Sequence, residues 1–377
     1  MKVALVYDRV NTWGGAERVL LSLHKLFPDA PLYTSVYNTK TAAWAKSFHI
    51  ITSFLQHLPA TRHAHQTIPY LMPQGFEAFT FDDYDLVISV TSEAAKGILT
   101  KPETIHVCYC LTPTRYLWSG YHEYFRNPIF KLVTKPIVSY LHAWDKIAAH
   151  RPDHIIAISA EVQRRIEEFY GKKSVVIYPP ATLGDEINIP RQWHNEPFDT
   201  GYYLIVSRLI PYKKIRLAVE ACNALKLQLK IIGAGSEEEA LRSIAGETIE
   251  FLGNLTDDEV MRYYTGCNAL LFPGLEDFGL TVVEAQKFGR PVIAFRGGGA
   301  VETIIEGKTG LFFSPQTKPA LVKTLKAFII ENTGLSRKEF ERKYARHCKQ
   351  NAARFSETVF HQQIEEYIKK SKVNNMF

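Results

Sequence analysis

This chain of 377 residues contains two blocks in which short apolar runs alternate with helical segments. The alternation stops between residues 179 and 200, where turn residues accumulate, and it restarts at residue 202. Uninterrupted apolar runs are typical of parallel strands that helices cover on both faces. We therefore predict an α/β chain with two doubly wound, Rossmann-like domains. The runs are 2–7, 85–90, 106–110, 154–159 and 174–178, then 202–207, 227–232, 248–252, 268–272 and 291–295.

The interruption at 179–200 predicts the domain boundary, because its prolines and glycine are typical of turns and linkers. We place a first domain at residues 1–182 and a second at 183–355. Residues 356–370 have apolar positions at helical spacing, so we assign 356–377 to a C-terminal helix. Ligands of doubly wound sheets bind beyond the carboxyl ends of the strands. We expect the site there, in a cleft between the domains.

Composition excludes several classes of protein. A hydrophobic fraction of 46% supports real cores and argues against disorder. A net charge of +6 is too small to predict a nucleic-acid partner. The five cysteines have no disulfide-like spacing, and the N-terminal run becomes polar too soon for a signal peptide. No apolar run approaches the length of a membrane span, so we expect a cytoplasmic protein.

The most informative local sequence is EDFGLTVVEA at residues 276–285. Two carboxylates, Glu276 and Glu284, flank a glycine turn and the predicted start of a helix. Free backbone N–H groups at such a start favour a phosphate. A carboxylate would repel phosphate, so we expect these two to accept hydrogen bonds from sugar or ribose hydroxyls. Recognition of phosphate and polyol together predicts a nucleotide-sugar ligand.

This stretch resembles the E-x7-E element of the family 4 retaining glycosyltransferases, which have the GT-B fold. Further motifs occur in the family's order over about residues 2–315. They are GGAE at 14–17, SRLIPYK at 207–213, GGGAVE at 297–302 and GKTGL at 307–311. A narrower similarity, to bacterial O-antigen and exopolysaccharide mannosyltransferases, rests on LQHLP at 55–59, CYC at 108–110, TPTRY at 112–116 and VIYPP at 176–180.

The resemblance implies a retaining glycosyltransferase that transfers a hexose, expected to be mannose from GDP-mannose, to a glycan or lipid-linked glycan in cell-surface polysaccharide synthesis. The nucleotide sugar is a substrate, and no cofactor is implied. The first domain, 1–182, would bind the acceptor, and the second domain, 183–355, would bind the nucleotide sugar. The C-terminal helix would pack back on the first domain. The alternatives are a UDP- or ADP-sugar donor, a GT-B sugar-phosphate epimerase or phosphorylase, and a nucleotide-binding module that has lost catalysis.

The resemblance also implies roles for individual residues. Arg208 and Lys213 match the family's diphosphate clamp, and with Glu276 they are the predicted catalytic residues; two solvated surface cations are the alternative. The family commonly has glycine or a basic residue after the lysine, where this chain has Lys214. Glu284 would hold the ribose, unless it is a solvated helix residue, and Leu255 would contact the base, unless it is a core leucine. The donor-binding set is Gly14, Gly15, Leu255, Phe278, Gly279, Leu280 and Glu284.

On the acceptor side, Leu111 stands where the resembling mannosyltransferases usually have histidine. Leucine can neither donate a hydrogen bond nor transfer a proton. The candidates for a polar group in its place are Tyr109, Thr112, Arg115 and His122. Asp83-Tyr84-Asp85 has the D-x-D form of a metal motif, but it precedes an apolar strand, and we predict no metal site.

Two segments, 125–136 and 61–72, combine basic and apolar residues. Such surfaces dock on anionic lipid. They are as often core helices with a basic edge. Peripheral contact with the inner face of the cell membrane is therefore an alternative to a fully soluble location.

Overall fold

The structure is a computed structural model that describes residues 1–58, 69–125, 127–184 and 201–374. The chain divides into two compact units. Unit 1 comprises Met1–Pro180 and Phe360–Phe377, and unit 2 comprises Ala181–Val359. The first boundary therefore falls two residues before the predicted one. The predicted segment 61–72 lies largely outside the described residues, as does most of the linker.

Unit 1 contains a seven-stranded parallel sheet in the order β3-β2-β1-β4-β5-β6-β7. The interior strand β1 is buried at every position, which explains its uninterrupted apolar sequence. The short strands β2 and β3 were not predicted. The strands are β1 Val3–Tyr7, β2 Leu32–Thr34, β3 Ile50–Thr52, β4 Leu86–Thr91, β5 Ile105–Cys110, β6 His154–Ala157 and β7 Val175–Val176.

Helices connect these strands. Ser159 begins α5, where its hydroxyl accepts a hydrogen bond from the Val162 N–H at 3.1 Å. The helices of unit 1 are α1 Gly15–Leu26, α2 Met72–Glu77, α3 Tyr121–Tyr124, α4 Pro128–Ala148 and α5 Ala160–Tyr170, with 3-10 turns at Ala43–Ser47, Phe54–His57, Pro69–Leu71 and Ala95–Gly97. Among the described residues, no helix is long and apolar enough to span a membrane.

Unit 2 contains a six-stranded parallel sheet in the order β10-β9-β8-β11-β12-β13. Both faces of this sheet carry a hydrophobic core. The strands are β8 Tyr203–Val206, β9 Leu229–Ile232, β10 Ile249–Gly253, β11 Ala269–Phe272, β12 Val292–Phe295 and β13 Gly310–Phe313. The helices are α6 Ile215–Leu225, α7 Glu238–Arg242, α8 Asp257–Gly266, α9 Leu280–Lys287, α10 Ala300–Thr303, α11 Lys318–Asn332 and α12 Arg337–Ala352, with 3-10 turns at Pro211–Lys213 and Ala353–Phe355.

The last helix, α13, covers Glu357–Asn374 and contributes to unit 1 from Phe360 onward. Phe360 packs edge-on against Tyr109, with ring centroids 5.8 Å apart. His361 Nε2 lies 2.9 Å from the Ser22 hydroxyl on α1. These contacts attach the end of the chain to the sheet of unit 1.

Candidate functional site

In unit 2 the strand order reverses between β8 and β11, which are neighbours although two strands separate them in sequence. The loops that follow these strands diverge at such a point and leave a crevice, where ligands of open parallel sheets bind. The loop after β8 carries Arg208 and Lys213, and the loop after β11 carries Glu276 and Phe278. The sequence motifs that predicted a site are thus adjacent at one edge of one sheet.

Lys213 and Glu276 form an ion pair across this point, although 63 positions separate them in sequence. The two side chains are only 12% and 17% exposed. The loops approach closely because Gly274 has no side chain; a Cβ there would lie 3.0 Å from the Lys213 backbone. Lys214 follows with φ at +53°, a conformation that glycine adopts more easily. The predicted lysine and glutamate therefore share one partly enclosed position.

A run of three glycines after β12 holds the Glu276 loop. The Gly299 N–H donates to the Glu276 carbonyl at 2.9 Å. Gly298 has φ at +58°, and a Cβ there would lie 2.2 Å from the same carbonyl oxygen. A Cβ on Gly299 would lie 2.3 Å from the Phe278 Cα. Only glycine permits this contact, so the downstream glycine motif positions the Glu276 loop.

Helix α9 begins directly after this loop. Gly279 precedes its first residue, Leu280, with φ at +83°. Phe278 is buried and packs against the Phe355 ring, with centroids 5.5 Å apart. The N–H groups of a first helical turn have no acceptor within the helix, and the helix dipole favours an anion beside them. The predicted anion position is therefore next to Lys213 and Glu276.

Glu284 lies within α9 and is buried, so the alternative of a solvated helix residue is wrong. The Tyr264 hydroxyl donates to Glu284 Oε2 at 3.0 Å. Tyr264 in turn stacks on Phe288, with centroids 5.5 Å apart. The carboxylate is thus held in a defined orientation from the side of α8.

The remaining residues of unit 2 lie at the same edge. Arg208 is exposed, and its guanidinium donates to the Tyr212 hydroxyl at 3.1 Å. Leu255 follows β10, directly before the Thr256 cap of α8, and packs on the core as a half-buried residue. The side chain of Leu255 therefore packs as the core leucine that the sequence analysis gave as the alternative. Its backbone lies at the carboxyl edge of the sheet.

In unit 1 the order reverses between β1 and β4. Gly14 and Gly15 lie beyond β1, where Gly15 begins α1. Glu17, in the first turn of α1, is buried and accepts a hydrogen bond from the Tyr7 hydroxyl at 2.7 Å. Burial, followed by the charge of Glu17, raises the pKa of Tyr7 well above its usual value, so Tyr7 remains a donor. Glu17 therefore fastens the glycine turn to β1.

Asp8 fills the reversal point of unit 1 with a negative charge. Its Oδ1 accepts from the Thr91 hydroxyl at 2.8 Å and from the N–H groups of Ala94 and Ala95 at 2.9 Å. Its Oδ2 accepts from the N–H groups of Ser92 at 2.7 Å and Glu93 at 3.0 Å. These donors, which would suit a phosphate, are satisfied by the chain's own carboxylate.

The acceptor-side candidates differ in burial. Tyr109 is wrong as such a candidate, because its ring is fully buried and its hydroxyl donates to the Ile177 carbonyl at 2.9 Å. Thr112 is buried, with the Arg165 guanidinium 3.5 Å from its hydroxyl. Arg115 is half-buried in the loop after β5. His122 belongs to α3, but its side chain lies outside the described residues.

The sequence interpretation did not identify Arg9 and Glu93, which follow β1 and β4 and form an ion pair beside the reversal point. Burial lowers the pKa of Arg9 from its usual value. A charged residue two positions after a buried strand was the available signal, since ligand groups gather at that edge. Their partnership could not be inferred, because 84 positions separate them.

Asp85, of the D-x-D sequence, accepts a hydrogen bond from the Lys2 N–H at 2.7 Å. In the part of the chain that the structure describes, no group of three His, Cys, Asp or Glu side chains could hold a metal ion.

Comparison with known proteins adds a family match over part of the chain. Residues 187–355 match the family model of the glycosyl transferases group 1. An uncharacterized glycosyltransferase of Methanocaldococcus jannaschii is 28% identical over 53% of this chain and 58% of its own length. A D-rhamnosyltransferase of Pseudomonas aeruginosa is 25% identical over 55% and 56%. The O-antigen chain mannosyltransferase C of Escherichia coli is 24% identical over 49% and 51%. The chain thus spans between half and three fifths of these curated relatives.

Among solved structures, HepE of Anabaena in complex with UDP superposes with a TM-score of 0.68. The two sequences are 19% identical, and the superposition covers 98% of this chain and all of the HepE chain. This similarity confirms the prediction of two parallel-sheet, Rossmann-like domains of the GT-B type.

Proposed function

We propose that this protein is a glycosyltransferase that transfers a hexose from a nucleotide sugar to a glycan acceptor with retention of configuration. The match of residues 187–355 to the family model of the glycosyl transferases group 1 supports this proposal. The observation that carries the proposal is the meeting of Lys213 and Glu276 at the reversal point of unit 2. A cation for the diphosphate and a carboxylate for sugar hydroxyls are adjacent there, beside the start of α9.

Departure of the nucleoside diphosphate leaves negative charge on its phosphate oxygens. Lys213 and the exposed Arg208 are placed to stabilise that charge, together with the first-turn N–H groups of α9. Glu276 accepts hydrogen bonds from the sugar, and the buried Glu284 accepts them from the ribose. Each role uses a residue at the same sheet edge.

We favour front-face transfer. The acceptor hydroxyl oxygen bonds to the anomeric carbon on the face from which the diphosphate departs. As the bond from that carbon to the phosphate oxygen breaks, its electron pair stays with the phosphate, which takes the hydroxyl proton. Glu276 is paired with Lys213 and Glu284 accepts from Tyr264, so both carboxylates are arranged as binding groups.

GDP-mannose is the proposed donor, supported by the similarity to the mannosyltransferase of Escherichia coli and by the narrower sequence resemblance. A UDP-hexose is the second candidate, because the structurally similar HepE was also solved in complex with UDP-glucose. The proposed acceptor is a glycan or a lipid-linked glycan.

Thermal unfolding with a panel of GDP-, UDP- and ADP-sugars tests the donor, since a ligand that binds the folded state raises the melting temperature. Analysis of the products then separates transfer from epimerisation. Arg208→Ala and Lys213→Ala should each lower kcat by about 10²-fold or more. Arg216→Ala is the control, because that exposed side chain pairs with Glu220 on α6. Undiminished turnover by both clamp variants would refute the proposed site.

A further inference from the structure

Helix α4 has an apolar face that does not pack on the sheet of unit 1. Its buried residues, Leu141, Asp145 and Ala148, lie on one side in the C-terminal half. None of residues 128–140 is buried. Ile129, Leu132 and Val133 are 73%, 73% and 70% exposed. The N-terminal half therefore presents large aliphatic side chains to solvent.

These side chains form one continuous stripe. At 3.6 residues per turn, Ile129, Val133, Pro136, Tyr140 and Ile147 fall within a sector of roughly 60°. Leu132 borders the sector, and the sector lies about 120° around the helix from the buried side. We call these six residues the α4 stripe. An amphipathic helix normally turns such a stripe toward the core, and here it is turned away.

The exposed charges of α4 are all positive. Asp145, the helix's acidic residue, is buried, and it pairs with Lys96 Nζ at 2.6 Å. The other charged residues are Lys131, Lys135 and Lys146. Lys135 and Lys146 are exposed and lie on one edge, next to the Leu132 side of the stripe. The exposed aromatic residue Phe130 lies in the first turn of α4, and the exposed Tyr124 is the last residue of the preceding helix α3.

An apolar stripe with a lysine edge and aromatic residues at its end matches the interface of an anionic bilayer. Aliphatic side chains enter the acyl boundary, and lysines reach back to the lipid phosphates. A second copy of the chain fits less well, because a two-fold pairing of the stripes would bring the lysine edges of both copies into one interface. The charge of the edge therefore favours lipid.

We propose that the α4 stripe docks on the surface of a membrane that contains anionic lipid. The stripe then lies in the plane of the headgroups, with Lys135 and Lys146 against the phosphates. This inference uses residues of unit 1 alone and does not depend on the transfer reaction proposed for unit 2. The stripe begins within the basic and apolar segment 125–136.

Sedimentation with lipid vesicles tests the contribution of the aliphatic residues of the α4 stripe. The protein should bind phosphatidylglycerol-containing vesicles more tightly than pure phosphatidylcholine vesicles. The triple variant Ile129→Gln, Leu132→Gln, Val133→Gln should lower the partition coefficient by about tenfold or more. Leu132→Gln alone has a matched control in Ile330→Gln on α11, since Ile330 is 78% exposed. The control should bind as the native protein does.

A second pair of variants tests the contribution of the lysine edge to lipid binding. Lys135→Gln with Lys146→Gln should lower binding by about fivefold per lysine at low salt, and added salt should reduce the difference. Lys323→Gln with Lys326→Gln on α11 is the control, because both are exposed lysines of unit 2. Unchanged melting temperatures of all variants and unchanged nucleotide stabilisation would show that folding and donor binding are intact.

Failure of the native protein to bind anionic vesicles would overturn the proposal, as would an equal loss in the α11 controls. If light scattering instead shows a dimer that the triple variant dissociates, and vesicles do not bind, the stripe is an interface between copies and the lipid assignment is wrong.

Discussion

Replacing Glu276 by glutamine should tighten the binding of a nucleoside diphosphate while it impairs transfer. The two effects have opposite signs because Glu276 has two proposed partners. In the structure its carboxylate is paired with Lys213. An incoming diphosphate must take over that lysine and also approach the carboxylate charge, whereas the sugar needs the carboxylate as an acceptor. Removing the charge therefore helps the nucleotide and harms the sugar.

The exposure of the pair sets the size of the effect. Fully exposed ion pairs contribute about 0–1 kcal/mol, whereas removing one partner of a buried pair costs about 3–5 kcal/mol. At 12% and 17% exposure, the Lys213–Glu276 pair lies between these limits. We therefore expect Glu276→Gln to improve the binding free energy of the diphosphate by about 1–2 kcal/mol, or roughly fivefold to thirtyfold in Kd.

Calorimetric titration with GDP, UDP and GDP-mannose measures the change. Diphosphate affinity should rise in the variant, and discrimination between GDP-mannose and its epimer should fall, since an amide pairs less well with sugar hydroxyls. Glu220→Gln is the control, because it removes a carboxylate from the more exposed Arg216–Glu220 ion pair of α6, outside the proposed site. Weaker diphosphate binding by Glu276→Gln would refute the competition between carboxylate and phosphate. It would show that Glu276 supports the nucleotide directly or through its loop.

Three further predictions follow from buried or close-packed groups. Asp8→Asn should lower the free energy of unfolding by about 3 kcal/mol or more, because the new amide donor would face the N–H groups from which Oδ2 now accepts hydrogen bonds. Asp85→Asn, which changes an exposed carboxylate, is the control and should change the free energy little in thermal unfolding. Gly298→Ala should destabilise the protein and weaken donor binding in the same assay, whereas Gly307→Ala, with similar φ and open space, should cost only about 1 kcal/mol. Glu284→Gln should weaken nucleoside diphosphate binding by roughly 1–3 kcal/mol in calorimetry, and unchanged affinity would remove its ribose role.

The fold was largely predictable, because a parallel strand that is buried on both faces is visible in the sequence as a continuous apolar run. Strands β2, β3 and β13 were not predicted; β2 and β3 have only three residues each, and β13 begins within the GKTGL motif. The same double burial explains the error at Tyr109. All six residues of β5 are buried. Neither the alternation of side chains between the two faces of the strand nor the polar hydroxyl of Tyr109 therefore indicated which side chain reaches the carboxyl edge of the sheet.

The site was predictable in its members but not in its pairings. Motif order identified Lys213 and Glu276, yet their ion pair depends on how the β8 and β11 loops meet. Asp8 was not identified, because the N–H groups that donate to it lie at least 84 positions later in the sequence. Contacts of this kind depend on strand order, which a local pattern does not contain.

The two reversal points differ in charge, and from this difference we propose that unit 2 binds the nucleotide-sugar donor and unit 1 binds the acceptor. In unit 1 the N–H groups after β4 already bind the Asp8 carboxylate, so a phosphate there would meet a fixed negative charge. In unit 2 the loop at the reversal point holds Lys213, balanced by a carboxylate that a diphosphate can replace, beside the first turn of α9. An anionic donor is therefore favoured in unit 2. A neutral polyhydroxyl acceptor suits unit 1, since its hydroxyls can use the half-buried and charged side chains after β1, β4 and β5 without displacing Asp8.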